Sequence, residues 1–282
     1  MMDFLTIDWG NSNPHVGLFI SNQLTKIQSW NDFKKEFSFH SLPWVGSLVG
    51  NFKEVEEFNS GQFFQNQIRL PILQNKNFLD MKVDYANSLG LDRLYESYFL
   101  FSNLKNNQTK QEHEGIILVD CGTFTTLNYI SHFGFIGGSI IPGIQTYLQT
   151  YQNGFRLPEN KFNISLSEKS KQLYFPQTTA EALSSGFELF LNGICEHLFR
   201  SLMKLPVRKW EIILTGGNAS HLLEKFSDYN FSFKNSNDTE FEIIKIVEVK
   251  HLIHHALAFL FKKSFSLKVS PSDSYKVKKD KD

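Results

Sequence analysis

Apolar residues near the start of the chain come in short runs broken by turn formers, a strand pattern rather than a helical one. DFLTIDW (3–9) and HVGLFI (15–20) read as two strands. The Gly-Asn-Ser-Asn-Pro stretch between them predicts an opening β-hairpin, with a third strand around 24–30. Residues 49–83 mix strands and short helices without a dominant period. Over 92–104 (DRLYESYFLFSNL) apolar positions fall at helical spacing, with the aromatics on one side. The polar segment 105–114 (KNNQTKQEHE) then reads as a surface connection and a domain boundary.

After it the opening pattern returns. GIILVD (115–120) predicts a strand, CGTFTT (121–126) a turn and LNYIS (127–131) a return strand. A third strand over 133–141 ends in the Gly-rich run GGSIIPG (137–143). Helices are predicted over 143–153, 179–203 and 251–263, and a strand at 211–215 runs into Gly216-Gly217. From about Ser270 the chain is rich in Ser, Pro, Lys and Asp, a composition of disorder. The expected division is a lobe over 1–110, a second over 111–268 and a disordered tail over 269–282.

The repeat matters more than any one element. An apolar strand followed by Asp, any residue, Gly, and Asn or Thr occurs at Asp8-Trp9-Gly10-Asn11 and again at Asp120-Cys121-Gly122-Thr123. Two α/β lobes with equivalent hairpins facing a shared cleft account for it.

Composition narrows the class. At 282 residues and 41% hydrophobic content the chain suits two compact lobes, and its 28 Phe predict aromatic-rich cores. Lys+Arg and Asp+Glu balance at 29 each, without the basic excess of a nucleic-acid binder. Two cysteines, Cys121 and Cys195, have no metal-ligand spacing, which favours a reducing compartment without disulfides. MMDFLTIDWGN lacks the basic-then-apolar order of a signal peptide, and no apolar run reaches the roughly 20 residues that span a bilayer. The cytoplasm is the expected location, with no membrane partner.

Phosphate handling fits the motifs. Glycines 10, 122, 216 and 217 let backbone N–H groups approach phosphate oxygens, and the hydroxyls of Ser12, Thr123, Thr125 and Thr126 add donors. Asp8 and Asp120 offer oxygen ligands to a hard cation. A single Asp-x-Gly-Asn is more often a plain hairpin turn; two copies plus Thr-Gly-Gly point to a site. The chain has no P-loop, protein-kinase or GxGxxG signature, so hairpins rather than a P-loop helix must hold phosphate. Leu89-Gly90-Leu91-Asp92-Arg93 precedes a helix: Asp92 there is an N-cap, or a base accepting a hydroxyl proton beside an anion-binding Arg93. Spacing alone favours the cap. His251, His254 and His255 have metal-ligand spacing on a predicted helix but read better as packing. The aromatic face of 92–104 reads as core or dimer interface, and Cys121 as a small buried filler.

Taken together, IDWGNSN (7–13), LGLDR (89–93), LVDCGTFTT (118–126), GGSIIPG (137–143), TAEALSSG (179–186) and LTGG (214–217) resemble, in order, the motifs of type III pantothenate kinases. The resemblance spans residues 3 to about 260. It implies two ribonuclease H-like (actin-like ATPase) lobes with mixed sheets flanked by helices. It further implies a homodimer phosphorylating pantothenate with ATP, Mg²⁺ or another divalent cation, and K⁺ or NH₄⁺. Carried over by position, Asp8, Trp9, Gly10, Asn11, Ser12, Asn13, Pro14 and His15 form the first phosphate loop and Thr123 binds ATP. Asp92 is the general base, and Asp120 binds the monovalent cation. Tyr85, Gly90, Leu91, Asp92 and Arg93 line the pantothenate pocket, with Thr179 reaching the neighbouring subunit's site.

Four features depart from the family pattern. Ser12-Asn13-Pro14 replaces Thr-x-Thr, Asn128 stands where an Asp is common, Phe124 replaces a small residue, and the Tyr85–Gly90 segment is about two residues short. The competing readings are a catalytically silent relative binding a ligand or partner as an accessory protein, and another acid or sugar kinase of the superfamily.

Overall fold

In the computed structural model, strand β1 (Phe4–Trp9) pairs antiparallel with β2 (His15–Ile20), and β2 antiparallel with β3 (Gln23–Ser29). A fourth strand, β4 (Trp44–Leu48), lies parallel to β1, giving the order β3-β2-β1-β4. The structure describes residues 2–10, 13–36, 41–49, 62–106, 114–154, 175–228 and 241–266. The predicted disordered tail lies outside them.

Alternation along β1 assigns its two faces. Leu5, Ile7 and Trp9 join a core with Trp30 and Phe33 of the short helix α1 (Trp30–Phe33), Trp44, and Phe63 of α2 (Gln62–Gln65). Trp44 stacks on Phe63 at 5.2 Å, and its indole N–H donates to the Phe63 carbonyl at 2.8 Å. Phe33 and Phe63, packed against this face of β1, account for part of the chain's aromatic excess. On the opposite face Phe4 stacks on Phe19 and on Phe261 of the chain's last described helix.

The second sheet repeats the first. Strands β7 (Glu114–Cys121), β8 (Phe124–Ser131) and β9 (Gly134–Pro142) form an antiparallel meander, and β10 (Lys209–Thr215) lies parallel to β7. The order β9-β8-β7-β10 matches β3-β2-β1-β4 strand for strand, so the repeated sequence motif is a repeated topology. Further strands β5 (Asn77–Phe78), β6 (Met81–Val83) and β11 (Glu242–Glu248) extend this sheet at its edges. β7 is buried along most of its length, as a central strand covered on both faces must be.

Four longer helices complete the second sheet. They are α3 (Leu91–Asn106), α4 (Ile144–Gly154), α5 (Thr179–Leu202) and α6 (Ala219–Asp228). α5 starts with a capping box: Thr178 accepts from the Glu181 N–H, while the Glu181 carboxylate accepts from the Thr178 N–H. It packs Phe187, Leu191, Ile194, Leu198 and Leu202 into a core with Ile117, Val119 and Trp210. The last helix, α7 (Leu252–Ser266), returns to the first sheet.

Contacts thus group the chain as Met1–Pro71 with Ile253–Asp282, and Ile72–Leu252. The expected lobes broke instead at the polar segment 105–114, yet its flanking elements α3 and β7 lie in the same unit. No described helix is long and apolar enough to cross a membrane.

Two sequence expectations shift at residue level. The turn expected over 121–126 shrinks to Gly122-Thr123, because Phe124, Thr125 and Thr126 already pair with β9. His251, expected on the last helix, precedes it at φ 58°.

Candidate active site

The second unit gathers chemistry on the face of its sheet that α3 covers. In the β7–β8 register Asp120 lies opposite Thr126 and Leu118 opposite Asn128, which places Asp120, Thr126 and Asn128 along one face. Gly138 of β9 pairs with Asn128. Arg93, one turn into α3, comes down onto this surface, and its Nε donates to Asn128 Oδ1 at 2.8 Å. The Asn128 amide donates in turn to Thr126 Oγ1 at 3.0 Å, which fixes which end of the amide faces the arginine.

Arg93 is only 5% exposed, yet its Nη2 has no hydrogen-bond partner and no carboxylate among the described residues pairs with it. Its guanidinium is held by π faces, 5.2 Å from the Tyr85 ring centroid and 5.9 Å from that of Phe135. Gly138 makes room for it: a Cβ there would meet Arg93 Nη2 at 2.8 Å and overlap the Leu127 carbonyl. A buried cation with neutral neighbours is a prepared anion site.

Asp92 is the second residue of α3. Gly90 occupies the cap position, its carbonyl accepting from the Leu94 N–H at 3.0 Å. The N-cap reading of Asp92 is therefore corrected. Its half-buried carboxylate makes no hydrogen bond among the described residues. Gly90 and Leu91 are half-buried beside it.

Asp120 is close enough to feel that charge. Burial, with the repulsion of Asp92 added, pushes its carboxyl up to about 7. Gly216, at φ 89°, passes directly over it; a Cβ there would come 2.7 Å from Asp120 Oδ1. A cation here would offset two carboxylates that repel each other. The Gly122-Thr123 turn is braced from β9 and α4: the Thr123 carbonyl accepts from the Gly143 N–H at 2.9 Å and the Thr146 hydroxyl at 2.6 Å. Burial drives the Cys121 thiol well above its ordinary range, so this cysteine is an inert filler.

The first unit carries the matching hairpin end. Asp8 pairs in register with His15, and His15 Nε2 lies 3.6 Å from Asp8 Oδ2. His15 Nδ1 is 2.9 Å from Nε2 of His254, whose Nδ1 is 2.6 Å from the Thr6 hydroxyl. His254 links the Thr6 hydroxyl to His15, whose other ring nitrogen, Nε2, faces Asp8. His254 is thus a buried link in this chain rather than a metal ligand, while His255 meets the edge of Phe19. Among the described residues no group of three or more His, Cys, Asp or Glu is placed to hold a metal.

Trp9 points into the core, 5.3 Å edge-on to Trp30, so it can offer phosphate only its main chain. Gly10 has open space around it, Asn13 is exposed, and the Pro14 carbonyl is tied to the Trp30 N–H at 3.0 Å. Asn11 and Ser12 lie outside the described residues. Thr179 is exposed at the start of α5. Sequence reasoning missed the roles of Thr6, Phe135 and Asn128 in these networks. Only Asn128 gave a signal, as a departure from the family pattern.

The family model for type III pantothenate kinase matches residues 4–201. The chain belongs to this family. The type III pantothenate kinase of Listeria monocytogenes serotype 4a is 31% identical over 246 residues, 79% of this chain and 89% of its own length. That of Petrotoga mobilis is 27% identical over 232 residues, 79% of this chain and 82% of its own. A Campylobacter jejuni structure named as a conserved Baf family transcriptional activator shares the fold, with a TM-score of 0.56 and 22% identity over 93% of this chain and all of that one. Type III pantothenate kinases thus supply the chain's relatives in sequence, and its duplicated mixed sheets supply the α/β architecture expected of it.

Proposed function

We infer that this chain transfers the γ-phosphoryl group of ATP to the primary hydroxyl of pantothenate, giving 4′-phosphopantothenate in the first step toward coenzyme A. The observation that carries the reading is Arg93, a buried guanidinium with an unused donor and no counter-ion among the described residues, one residue from the carboxylate of Asp92. Pantothenate has both groups this pair requires, a carboxylate for the cation and a hydroxyl for the base.

Asp92 accepts the hydroxyl proton as the new O–P bond forms, the bond to the β,γ-bridging oxygen breaks, and ADP leaves. Arg93 orients the substrate, with Tyr85, Gly90 and Leu91 beside it. The Gly122-Thr123 turn offers main-chain and hydroxyl donors to the nucleotide, and the stretch from Asp8 to His15 supplies the other phosphate loop. Asp120 would hold K⁺ or NH₄⁺, which would supply positive charge to the site, and a divalent cation would accompany ATP. On the same reading the enzyme is a cytoplasmic homodimer in which Thr179 reaches the partner's substrate.

ADP release with ATP, Mg²⁺ and pantothenate tests this, with K⁺ present or replaced by Na⁺. Pantothenate-dependent turnover stimulated by K⁺ is expected. Asp92→Asn should lower kcat by about 100-fold or more while the protein still folds. Near-normal turnover in that variant removes Asp92 from the role of base, and no turnover from folded wild-type protein removes the activity itself.

A further inference from the structure

We propose that His254, on the last helix, is a positioning residue for the first phosphate loop: it fixes the ring of His15, and through it the carboxylate of Asp8, before nucleotide arrives. The inference rests on the reading of Asp8 to His15 as a phosphate loop and adds to it a support from the far end of the chain.

The residues share one face of the first sheet. Phe4, Thr6 and Asp8 alternate along β1, and the register sets them opposite Phe19, Gly17 and His15 of β2. The face thus runs from an apolar pair, through Thr6 and Gly17, to a polar pair at the hairpin end. Phe261 of α7 stacks on Phe4. His254, seven residues earlier and so about two turns back on the same side of α7, lies over Thr6 and Gly17. Gly17 makes the room, since a Cβ there would meet His254 Nδ1 at 2.8 Å.

An apolar side chain would be the less costly occupant of such a place, because a buried imidazole must have its nitrogens satisfied. His254 is fully buried and both nitrogens are engaged, Nδ1 at 2.6 Å from the Thr6 hydroxyl and Nε2 at 2.9 Å from His15 Nδ1. Thr6 ties the ring to the sheet, and the other nitrogen holds His15. His15 is only partly buried, its ring centroid 4.9 Å from that of His254 and its Nε2 3.6 Å from Asp8 Oδ2. Without His254 an imidazole at this edge would sample several rotamers, and ordering it would weaken nucleotide binding. Held in advance, it keeps Asp8 placed beforehand. The hydroxyl that the family pattern has at Pro14 is lost here, which leaves this chain's loop more dependent on the side chains that flank it.

The test is a double-mutant cycle on the binding of ATP with Mg²⁺, read by titration calorimetry without pantothenate. His254→Leu keeps an apolar side chain in the place and removes both polar ends. It should raise the Kd for ATP about fivefold in the wild-type background, and by less than about 1.5-fold in the His15→Ala background. An unchanged Kd, or the same loss in both backgrounds, assigns His254 to packing alone and overturns the proposal. Asp8→Ala gives the loop reading its own check. An unchanged Kd there overturns that reading and the proposal together, whereas lost affinity there with no effect of His254→Leu overturns the proposal alone. Should His254→Leu lose its cooperative melt, Thr6→Val frees the ring from the sheet with little change in volume. It should weaken ATP binding about threefold only where His15 is present, and an unchanged Kd again overturns the role.

Discussion

Asp120 is placed where an ionised carboxylate is least comfortable, enclosed by the sheet and repelled by Asp92. Its carboxyl is raised from 3.8 to about 7, and the sign of that change has a consequence for stability. Below pH 4 the group is protonated in the folded and the unfolded chain alike, so it costs nothing extra. Between about pH 4 and 7 the unfolded chain has released this proton while the folded chain still holds it, so stability falls across that window and levels off once the folded group ionises too. A rise of about three pH units corresponds to about 4 kcal/mol, which the partial exposure of Asp120 reduces to roughly 2. In K⁺-free buffer at pH 8, Asp120→Asn should therefore melt about 4–8 °C above wild type, with the gap closing toward pH 4. Adding K⁺ at pH 8 should raise the wild-type Tm and leave the variant alone. Equal melting temperatures at both pH values would show that the carboxylate carries no such penalty, and would remove the argument for a cation beside it.

Between elements, the decisive contact is the approach of α3 to β9. Arg93 reaches Asn128 only because position 138 has no side chain. Gly138→Ala should cost about 2 kcal/mol in urea unfolding, since its methyl meets the Leu127 carbonyl as well as the guanidinium. It should also raise the pantothenate KM, because the guanidinium is the softer of the two obstacles. An alanine variant with wild-type stability and KM would mean that α3 lies further from β9 than the structure places it. The glycine run was visible in the sequence, but its reason was not: Arg93 and Asn128 are 35 residues apart, and no local pattern links them. Hairpins and long helices were legible because period and turn chemistry are local properties, as in β1, β2, β7 and α5. The two-residue β5 and three-residue β6 are too short to show a period. Spacing alone favoured Asp92 as the cap over the base because Asp is a favoured cap residue, whereas Gly90 fills that place without a side-chain signal.

At the scale of the whole chain, the first unit is assembled from both ends of the sequence. Residues from β1 and β2 supply one face of the sheet, and α7, more than 230 residues later by number, covers it through Phe261 on Phe4 at 4.0 Å and His254 on Thr6. The sheet cannot close its core until the last helix has been made, so the stability of this unit depends on residues remote in sequence. Phe261→Ala removes a buried ring from that face and should destabilise the first unit by about 3–4 kcal/mol. Tryptophan placement allows the effect to be located. Trp9, Trp30 and Trp44 lie in the first unit, and Trp210 lies in the second. With Trp210→Phe in the background, fluorescence reports the first unit alone, and that signal should melt several degrees earlier in Phe261→Ala. With Trp9, Trp30 and Trp44 replaced by Phe, the signal of Trp210 should move much less. If both signals fall together by the same amount, the units unfold as one cooperative block, and α7 is then a clamp on the entire molecule rather than on the unit it completes.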